Sequence, residues 1–230
     1  MSHQRKWIVT GSSSGIGCHI AKMLLNLDKA VIGLSRRPGP IESPCFLHIP
    51  VDFSRLDAVE SLAKIDGDLE GVVFCHGFGE FKSLEQWSHP SIDAMLQVNL
   101  ISHIHLARKL IANLKNQDRS YMIFIGSEAA LEGKNRSSIY SAAKFGLRGF
   151  TQALRKESTS SGLKITMIQP GLTRTPFFDN LYFEPKKEER CAIDPADIAA
   201  AVALILASHE GTSFDEMIIN PKASAVTFKN

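Results

Sequence analysis

No stretch of this chain reaches the run of about 18 apolar residues that a membrane-spanning helix requires, so no span is expected. Charge of one sign is also missing. Lys and Arg number 26 against 24 Asp and Glu, and a formal net charge of +2 gives no footing for nucleic acid or an anionic bilayer. Cysteine is scarce. Cys18, Cys45, Cys75 and Cys191 form no C-x-x-C pair, and they read as free thiols of a reducing compartment rather than as metal ligands. Histidines show no metal-ligand spacing. His103 and His105 lie two apart on an expected helix and point in different directions, which argues against a zinc-dependent enzyme. The opening Met1-Ser-His-Gln-Arg-Lys6 runs into an apolar strand without a signal-peptide cleavage pattern, so a cytoplasmic location is expected. No internal repeat and no linker appears, and 1–230 is expected to be one domain.

What the chain does have is a steady alternation of short apolar runs and amphipathic stretches. Strands are expected at Trp7–Thr10, Ala30–Leu34, Phe46–Val51, Gly71–Cys75, Tyr121–Ile125, Lys164–Ile168 and Glu216–Ile219. Helices are expected at Gly15–Leu27, Ser54–Ile65, about Ile92–Asn116, about Ser138–Ser160 and Ala196–Ala207. Pro221–Asn230 reads as a loosely held tail. This alternation predicts an α/β protein built on a parallel sheet with right-handed crossovers. Several strands are continuously apolar, as they must be when both faces of the sheet are covered.

Tyr140 and Lys144 stand four apart in Ile-Tyr-Ser-Ala-Ala-Lys-Phe, which puts both on one face of a helix. An ammonium beside a phenol lowers the phenol pKa from about 10, and a tyrosine so tuned exchanges a proton with a carbonyl or alcohol oxygen. The first strand ends in Thr10-Gly-Ser-Ser-Ser-Gly-Ile-Gly17, a G-x-x-x-G-x-G turn that opens a helix. Glycines there allow close backbone approach, and the helix N-terminus offers free N–H groups to a pyrophosphate. At the end of the second strand, no Asp or Glu occurs between Ala30 and Ile41 to hold the ribose 2′-hydroxyl of NAD. Arg36 and Arg37 instead suit the 2′-phosphate of NADP, and Ser35 offers a hydroxyl, so NADP(H) is expected over NAD(H).

Thr10–Gly17, Asn99, Ser127, Tyr140-x-x-x-Lys144 and Pro170-Gly171 occur in the order and spacing of the short-chain dehydrogenase/reductase family. From about Trp7 to Asn220 the chain resembles its compact, single-domain oxidoreductase branch. The resemblance implies a doubly wound parallel sheet, the Rossmann fold, of about seven strands. It implies Tyr140 as general acid and base, Ser127 as the holder of the substrate oxygen, and Lys144 as the group that lowers the Tyr140 pKa and binds the nicotinamide ribose. Asn99 would anchor a water in a proton relay to Lys144, with a structural hydrogen bond as the rival role. Ser127 has a rival role as well, as a cap of the segment that follows it.

Cofactor contacts are implied at Gly11, Ser13, Ser14, Gly15, Ile16 and Gly17 of the turn, and at Ser35, Arg36 and Arg37. Asp52 would sit beside the adenine, or cap a helix, or do both. Gly77, Asn99, Tyr140, Lys144, Pro170, Gly171, Thr173 and Thr175 complete the set, with Thr173 acting through its backbone. One departure is clear: the family's usual Asn-Asn-Ala-Gly is here Phe74-Cys-His-Gly77, so the bulkier His76 takes the place of a small residue and is read as structural.

A substrate lid is expected at about 176–195. Phe177, Phe178 and Tyr182 on it, with Phe78 and Phe81 opposite, either line a hydrophobic or aromatic carbonyl compound or fasten the lid to the body. The expected activity is that of a carbonyl reductase, interconverting an aldehyde, ketone or diketone and an alcohol by hydride transfer. The rivals are an NADP(H)-binding sensor or scaffold without turnover, and an isomerase or epimerase on the same fold. The helices around Ile92–Asn116 and Ser138–Ser160 match the family's interface pair, which predicts a homodimer, with a homotetramer as the alternative. No nucleic-acid or membrane partner is expected.

Overall fold

The computed structural model describes residues 5–62, 65 and 67–229. Its apolar runs pair side by side as β1 (Lys6–Thr10), β2 (Ala30–Ser35), β3 (Phe46–Pro50), β4 (Leu69–Phe74), β5 (Ser120–Ile125), β6 (Leu163–Pro170) and β8 (Glu216–Ile219). All pairings among them are parallel, in the order β3-β2-β1-β4-β5-β6-β8. The strand order reverses between β1 and β4, so the loops leaving their C-terminal ends diverge and open a crevice there. This is a Rossmann-type fold.

Successive strand residues face opposite ways, and each face has its own cover. Trp7 and Val9 of β1 pack with α1 (Gly15–Asn26) and α5 (Pro195–Ala207), where Ile20, Leu24, Ile198 and Val202 are buried. Ile8 faces the other way, into the core shared with α3 (Ser102–Lys115) and α4 (Ser138–Glu157). In that core Phe74 and Phe124 stack with centroids 4.2 Å apart, and truncating either to Ala would cost about 3–5 kcal/mol. Among the described residues, no helix is long and apolar enough to cross a membrane.

Two expectations need correcting, and a third gains a detail. The helix expected over Ser54–Ile65 is absent: residues 54–62 form turns, and residues 63, 64 and 66 lie outside the described ones. The carbonyls that a helix would use internally have outside donors instead. Lys109 Nζ on α3 donates to the carbonyls of Val59 (2.8 Å) and Leu62 (2.6 Å), and Gln97 Nε2 donates to those of Phe53 and Arg55, both at 3.4 Å. Phe53, Ala58, Val59 and Leu62 are still buried, so the segment covers the sheet without being helical.

The long helical segment expected over about Ile92–Asn116 is present, from His89 to Lys115, with one irregularity. α2 (His89–Leu96) passes through a π-helical turn, Gln97–Ile101, before α3 begins. Ser102 Oγ donates back to the Val98 carbonyl at 3.1 Å, a bond that competes with the regular ladder. The wider turn re-aims Asn99, as such turns often do at functional sites.

The tail is not loose. β9 (Val226–Phe228) pairs antiparallel with β7 (Phe183–Pro185), a strand of the segment expected as the lid. Val-Thr-Phe is good strand chemistry, and β7 offers it an open edge. The signal-peptide reading of residues 1–4 and the last tail residue, Asn230, lie outside the described residues.

Candidate active site

A cleft of about 1050 Å³ opens at the C-terminal ends of β1, β2, β4, β5 and β6. Every residue expected from the sequence to contact a cofactor, act on a substrate or line its pocket borders this cleft.

One end is built by the glycine turn. Gly11 takes φ +67°, the left-handed region that a side chain resists, and its N–H donates to the Leu34 carbonyl at 2.8 Å. The N-cap of α1 is Ser14, whose side chain makes no capping bond, and the first turn holds no acidic residue. Its first N–H groups and the positive end of the helix dipole are therefore left for an anion. Arg36 and Arg37 are exposed beside it on the loop that leaves β2. Ser35 is buried and shapes that loop: its hydroxyl donates to the Arg37 carbonyl at 2.8 Å and lies 3.1 Å from His48 Nε2. Asp52 caps no helix; its carboxylate accepts the N–H and hydroxyl of Ser54 at 3.1 and 2.8 Å. Those bonds, with Arg36 and Arg55 nearby, hold its pKa below the usual carboxylate value. Two guanidinium groups and an uncompensated helix N-terminus are a donor set that fits a phosphorylated dinucleotide.

At the other end stands Tyr140, 6% exposed on α4. Burial pushes its pKa up to about 12, the Ser127 side chain pulls the other way, and Glu128 adds to the rise. Lys144 lies one turn on, with Nζ 5.7 Å from the Tyr140 ring centroid and 3.5 Å from the Ile125 carbonyl. Burial lowers its own pKa to about 8. Burial is the largest influence on Tyr140, which rests as a phenol. Ser127 follows β5 and does cap a short 3-10 turn, accepting from Ala129 N–H at 3.1 Å while still bordering the cleft.

Asn99 is fully buried, and its amide is oriented by bonds from Nδ2 to the carbonyls of Phe78 (3.1 Å) and Met95 (3.2 Å). That leaves Oδ1 without a partner among the described residues. A Cβ built on Gly77 would lie 2.7 Å from Asn99 Oδ1 and 3.8 Å from Lys144 Nζ. Only glycine there keeps open the gap that both groups face. An orphaned acceptor beside an ammonium is a seat for a water.

Three features add to the sequence reading, one of them at His76, where a structural role is expected. Gln169, fully buried at the end of β6, accepts the Ser127 N–H on Oε1 at 2.8 Å and donates from Nε2 to Glu216 at 2.8 Å. Glu216 is held in turn by both nitrogens of an Arg148 fork, each at 2.8 Å. A polar residue closing the apolar run Ile165–Ile168 was the available signal. His76 is a second case. Its Nδ1 lies 2.7 Å from Thr10 Oγ1 and its Nε2 2.8 Å from Ser102 Oγ, and its ring stacks between Phe53 and His103. Burial lowers its pKa to about 3, so it is a neutral strut between the glycine turn and the π turn. Third, Ser224, Val226 and Phe228 of the C-terminal segment border the cleft, where the sequence showed only a tail.

A Rossmann-type sheet with its cleft at the switch point defines a class of dinucleotide-binding folds. The chain belongs to the short-chain dehydrogenase family, whose sequence model matches residues 5–185. It is similar to an uncharacterized oxidoreductase of Staphylococcus aureus strain N315, 28% identical over 225 residues that cover 93% of this chain and 96% of that protein. One from Staphylococcus saprophyticus is 26% identical over 228 residues, with coverage of 93% and 96%. Among solved structures, it resembles an alcohol dehydrogenase from the archaeon Thermococcus sibiricus complexed with 5-hydroxy-NADP, at TM-score 0.81 and 21% identity over 94% of this chain and 95% of that one. It also resembles a 3-ketoacyl-(acyl-carrier-protein) reductase from Brucella melitensis complexed with NADH, at TM-score 0.83 and 20% identity over 97% and 99%. Those structures establish the fold. Family membership makes the chain an oxidoreductase of a family that uses nicotinamide cofactors.

Proposed function

We propose that the protein is an NADP(H)-dependent oxidoreductase that interconverts an aldehyde, ketone or diketone and the corresponding alcohol, with Tyr140 as general acid and base. The observation that carries this reading is the meeting of Ser127, Tyr140, Lys144 and Asn99 at one end of a cleft whose other end offers Arg36, Arg37 and the N-terminus of α1. The cofactor, when bound, supplies or takes the hydride, so that carbonyl, NADPH and one proton balance alcohol and NADP⁺. The glycine turn and the first turn of α1 would hold its pyrophosphate, and Arg36 and Arg37 its 2′-phosphate. Asp52 would face the adenine, and Gly171, Thr173 and Thr175 the carboxamide.

The chain's own groups then handle the substrate oxygen and its proton. Tyr140 rests as a phenol, the form that gives a proton to a carbonyl oxygen. Ser127 donates to the same oxygen and steadies its growing negative charge. Lys144, with a pKa near 8, remains mostly protonated at pH 7 and can restore the tyrosine proton. A water on Asn99 Oδ1 would link Lys144 to solvent. We place a homodimer contact on α3 and α4, supported by Phe145 standing 42% exposed on the outer side of α4. The four free cysteines support a cytoplasmic location.

The test is NADPH oxidation by the purified protein across aldehydes, ketones, diketones and quinones, with Tyr140→Phe alongside. Turnover should fall about a thousandfold in the variant while NADPH affinity is kept. A variant as active as the wild type contradicts the reading.

A further inference from the structure

The substrate end of the cleft is a cage of rings. Phe81 approaches the Tyr140 ring at 5.2 Å and Phe177 at 6.1 Å, each tilted by 57°, so the phenol has one aromatic neighbour from the body and one from the lid. Beyond them Phe183 meets Phe81 edge-on at 5.3 Å and Phe178 at 5.8 Å. Tyr182 extends the array to Phe228, stacked at 6.0 Å with 5° between planes. Phe81, Phe177 and Phe183 are only partly buried, so they present apolar surface to the cleft.

Two of the cations at this end are paired. Lys134 pairs with Glu128 at 2.7 Å and Lys229 with Glu184 at 3.5 Å, while Arg136 lies 5.8 Å over the Tyr182 ring. Among the described residues bordering this end, only Lys144 is a cation without an acidic partner, and it stands in the proton path. A carboxylate or phosphate on the substrate would find as unpaired counter-charge only Lys144, in the proton path, and the exposed Arg136 outside the Tyr182 ring, and Asp179 on the rim would repel it.

The outer wall belongs to the C-terminal segment, which is stitched to the lid. Beyond the β7–β9 pairing, Lys186 N–H donates to Ala225 O at 3.0 Å, Ala223 N–H to Arg190 O at 2.9 Å and Lys229 N–H to Tyr182 O at 2.8 Å. Lys229 Nζ donates to the carbonyls of Phe178 and Asp179 at 2.6 and 3.2 Å. Lid and tail therefore form one flap that carries Phe177, Phe178, Tyr182, Phe183 and Phe228 together. Among the described residues, no backbone bond ties Phe228 to the seven-stranded sheet.

We propose that the site takes an uncharged carbonyl compound bearing an aromatic ring within a carbon or so of the carbonyl, and that Phe228 of the C-terminal strand helps select it. The inference rests on the carbonyl-reductase reading and adds the substrate class and a specificity residue from outside the lid. Rings at 4.5–7 Å attract beyond their buried area, which separates an aromatic substrate from a saturated one of the same shape.

The experiment measures kcat/KM with NADPH for phenylacetone, cyclohexylacetone and 4-oxopentanoate, in wild type and in Phe228→Ala, with NADPH affinity measured for both. Phe228 is 67% exposed, so its truncation leaves the fold intact. Phenylacetone should exceed cyclohexylacetone by about tenfold and 4-oxopentanoate by about a hundredfold or more. Phe228→Ala should lower the phenylacetone value about threefold to tenfold, leave NADPH affinity unchanged and narrow the gap to cyclohexylacetone. Equal or better turnover of cyclohexylacetone or 4-oxopentanoate overturns the substrate class, and a Phe228→Ala protein indistinguishable from wild type overturns the role of the strand. Turnover of none of the three and of no other carbonyl, with NADPH bound, overturns the reductase reading beneath it.

Discussion

The backbone N–H of Ser127 donates to Gln169 Oε1 at 2.8 Å, and this contact fixes the loop that brings the Ser127 hydroxyl to Tyr140. Gln169 cannot turn, because its Nε2 is held by Glu216 and Glu216 by Arg148. Gln169→Leu would leave a buried N–H and one Glu216 bond unmet, at about 1–3 kcal/mol of stability. The expected result is a kcat lowered by about tenfold with NADPH affinity unchanged. Steady-state kinetics beside a cofactor titration decides it; an unchanged kcat would remove Gln169 from the account.

Arg36 and Arg37 should set cofactor choice. Each Arg→Ala substitution is expected to raise the KM for NADPH about tenfold and leave that for NADH nearly unaltered, because a charge-assisted contact to a phosphate is lost. Parallel kinetics with the two cofactors measures it. Wild-type protein that prefers NADH would refute the charge argument.

His76 and His103 predict acid lability. Burial takes His76 to about 3 and His103 well below its ordinary value, helped in both by the nearby Lys144 and in His103 by His76. Both are neutral in the folded protein and charge on unfolding. Their contribution is full above about pH 6.5 and is lost as pH falls toward the folded values, by up to about 2.7 kcal/mol per pH unit for two protons. His103→Phe keeps a ring between His76 and Phe74 and should halve that slope between pH 6.5 and 5 in urea unfolding. An unchanged slope would mean His103 is already charged.

Lys144 predicts the opposite edge. Its folded pKa near 8 lies below the unfolded value, so holding it charged is a penalty that is full below pH 8 and fades as pH rises toward about 10.5. Cofactor-free wild type should therefore gain stability across that window, and Lys144→Met should lack the gain. At pH 7 the variant should be the more stable, on the order of 2–3 kcal/mol. Equal stability of the two at pH 7 would show that the ammonium is solvated.

Local signals were legible. The glycine turn, the apolar runs and the Tyr140–Lys144 spacing each depend on neighbours along the chain, and Glu216–Ile219 forms a strand with the expected bounds. What escaped depended on distant partners. Residues 54–62 lose their helix to Lys109 and Gln97, and Asn99 is re-aimed by a π turn tied through Ser102 to His76. Val226–Phe228 becomes a strand only because the lid supplies an edge. Burial of Tyr140, the largest influence on its pKa, is likewise a matter of distant packing that helix spacing does not show.

The central claim is that this cleft moves a hydride to a carbonyl carbon and a proton to its oxygen. The direct measurement is mass spectrometry of the alcohol formed with NADPH that carries deuterium at the transferring carbon of the nicotinamide. One deuterium at the carbinol carbon, one NADP⁺ per alcohol and no label or product with Tyr140→Phe is the expected result. Product without deuterium, or substrate rearranged with no net cofactor consumed, would contradict it.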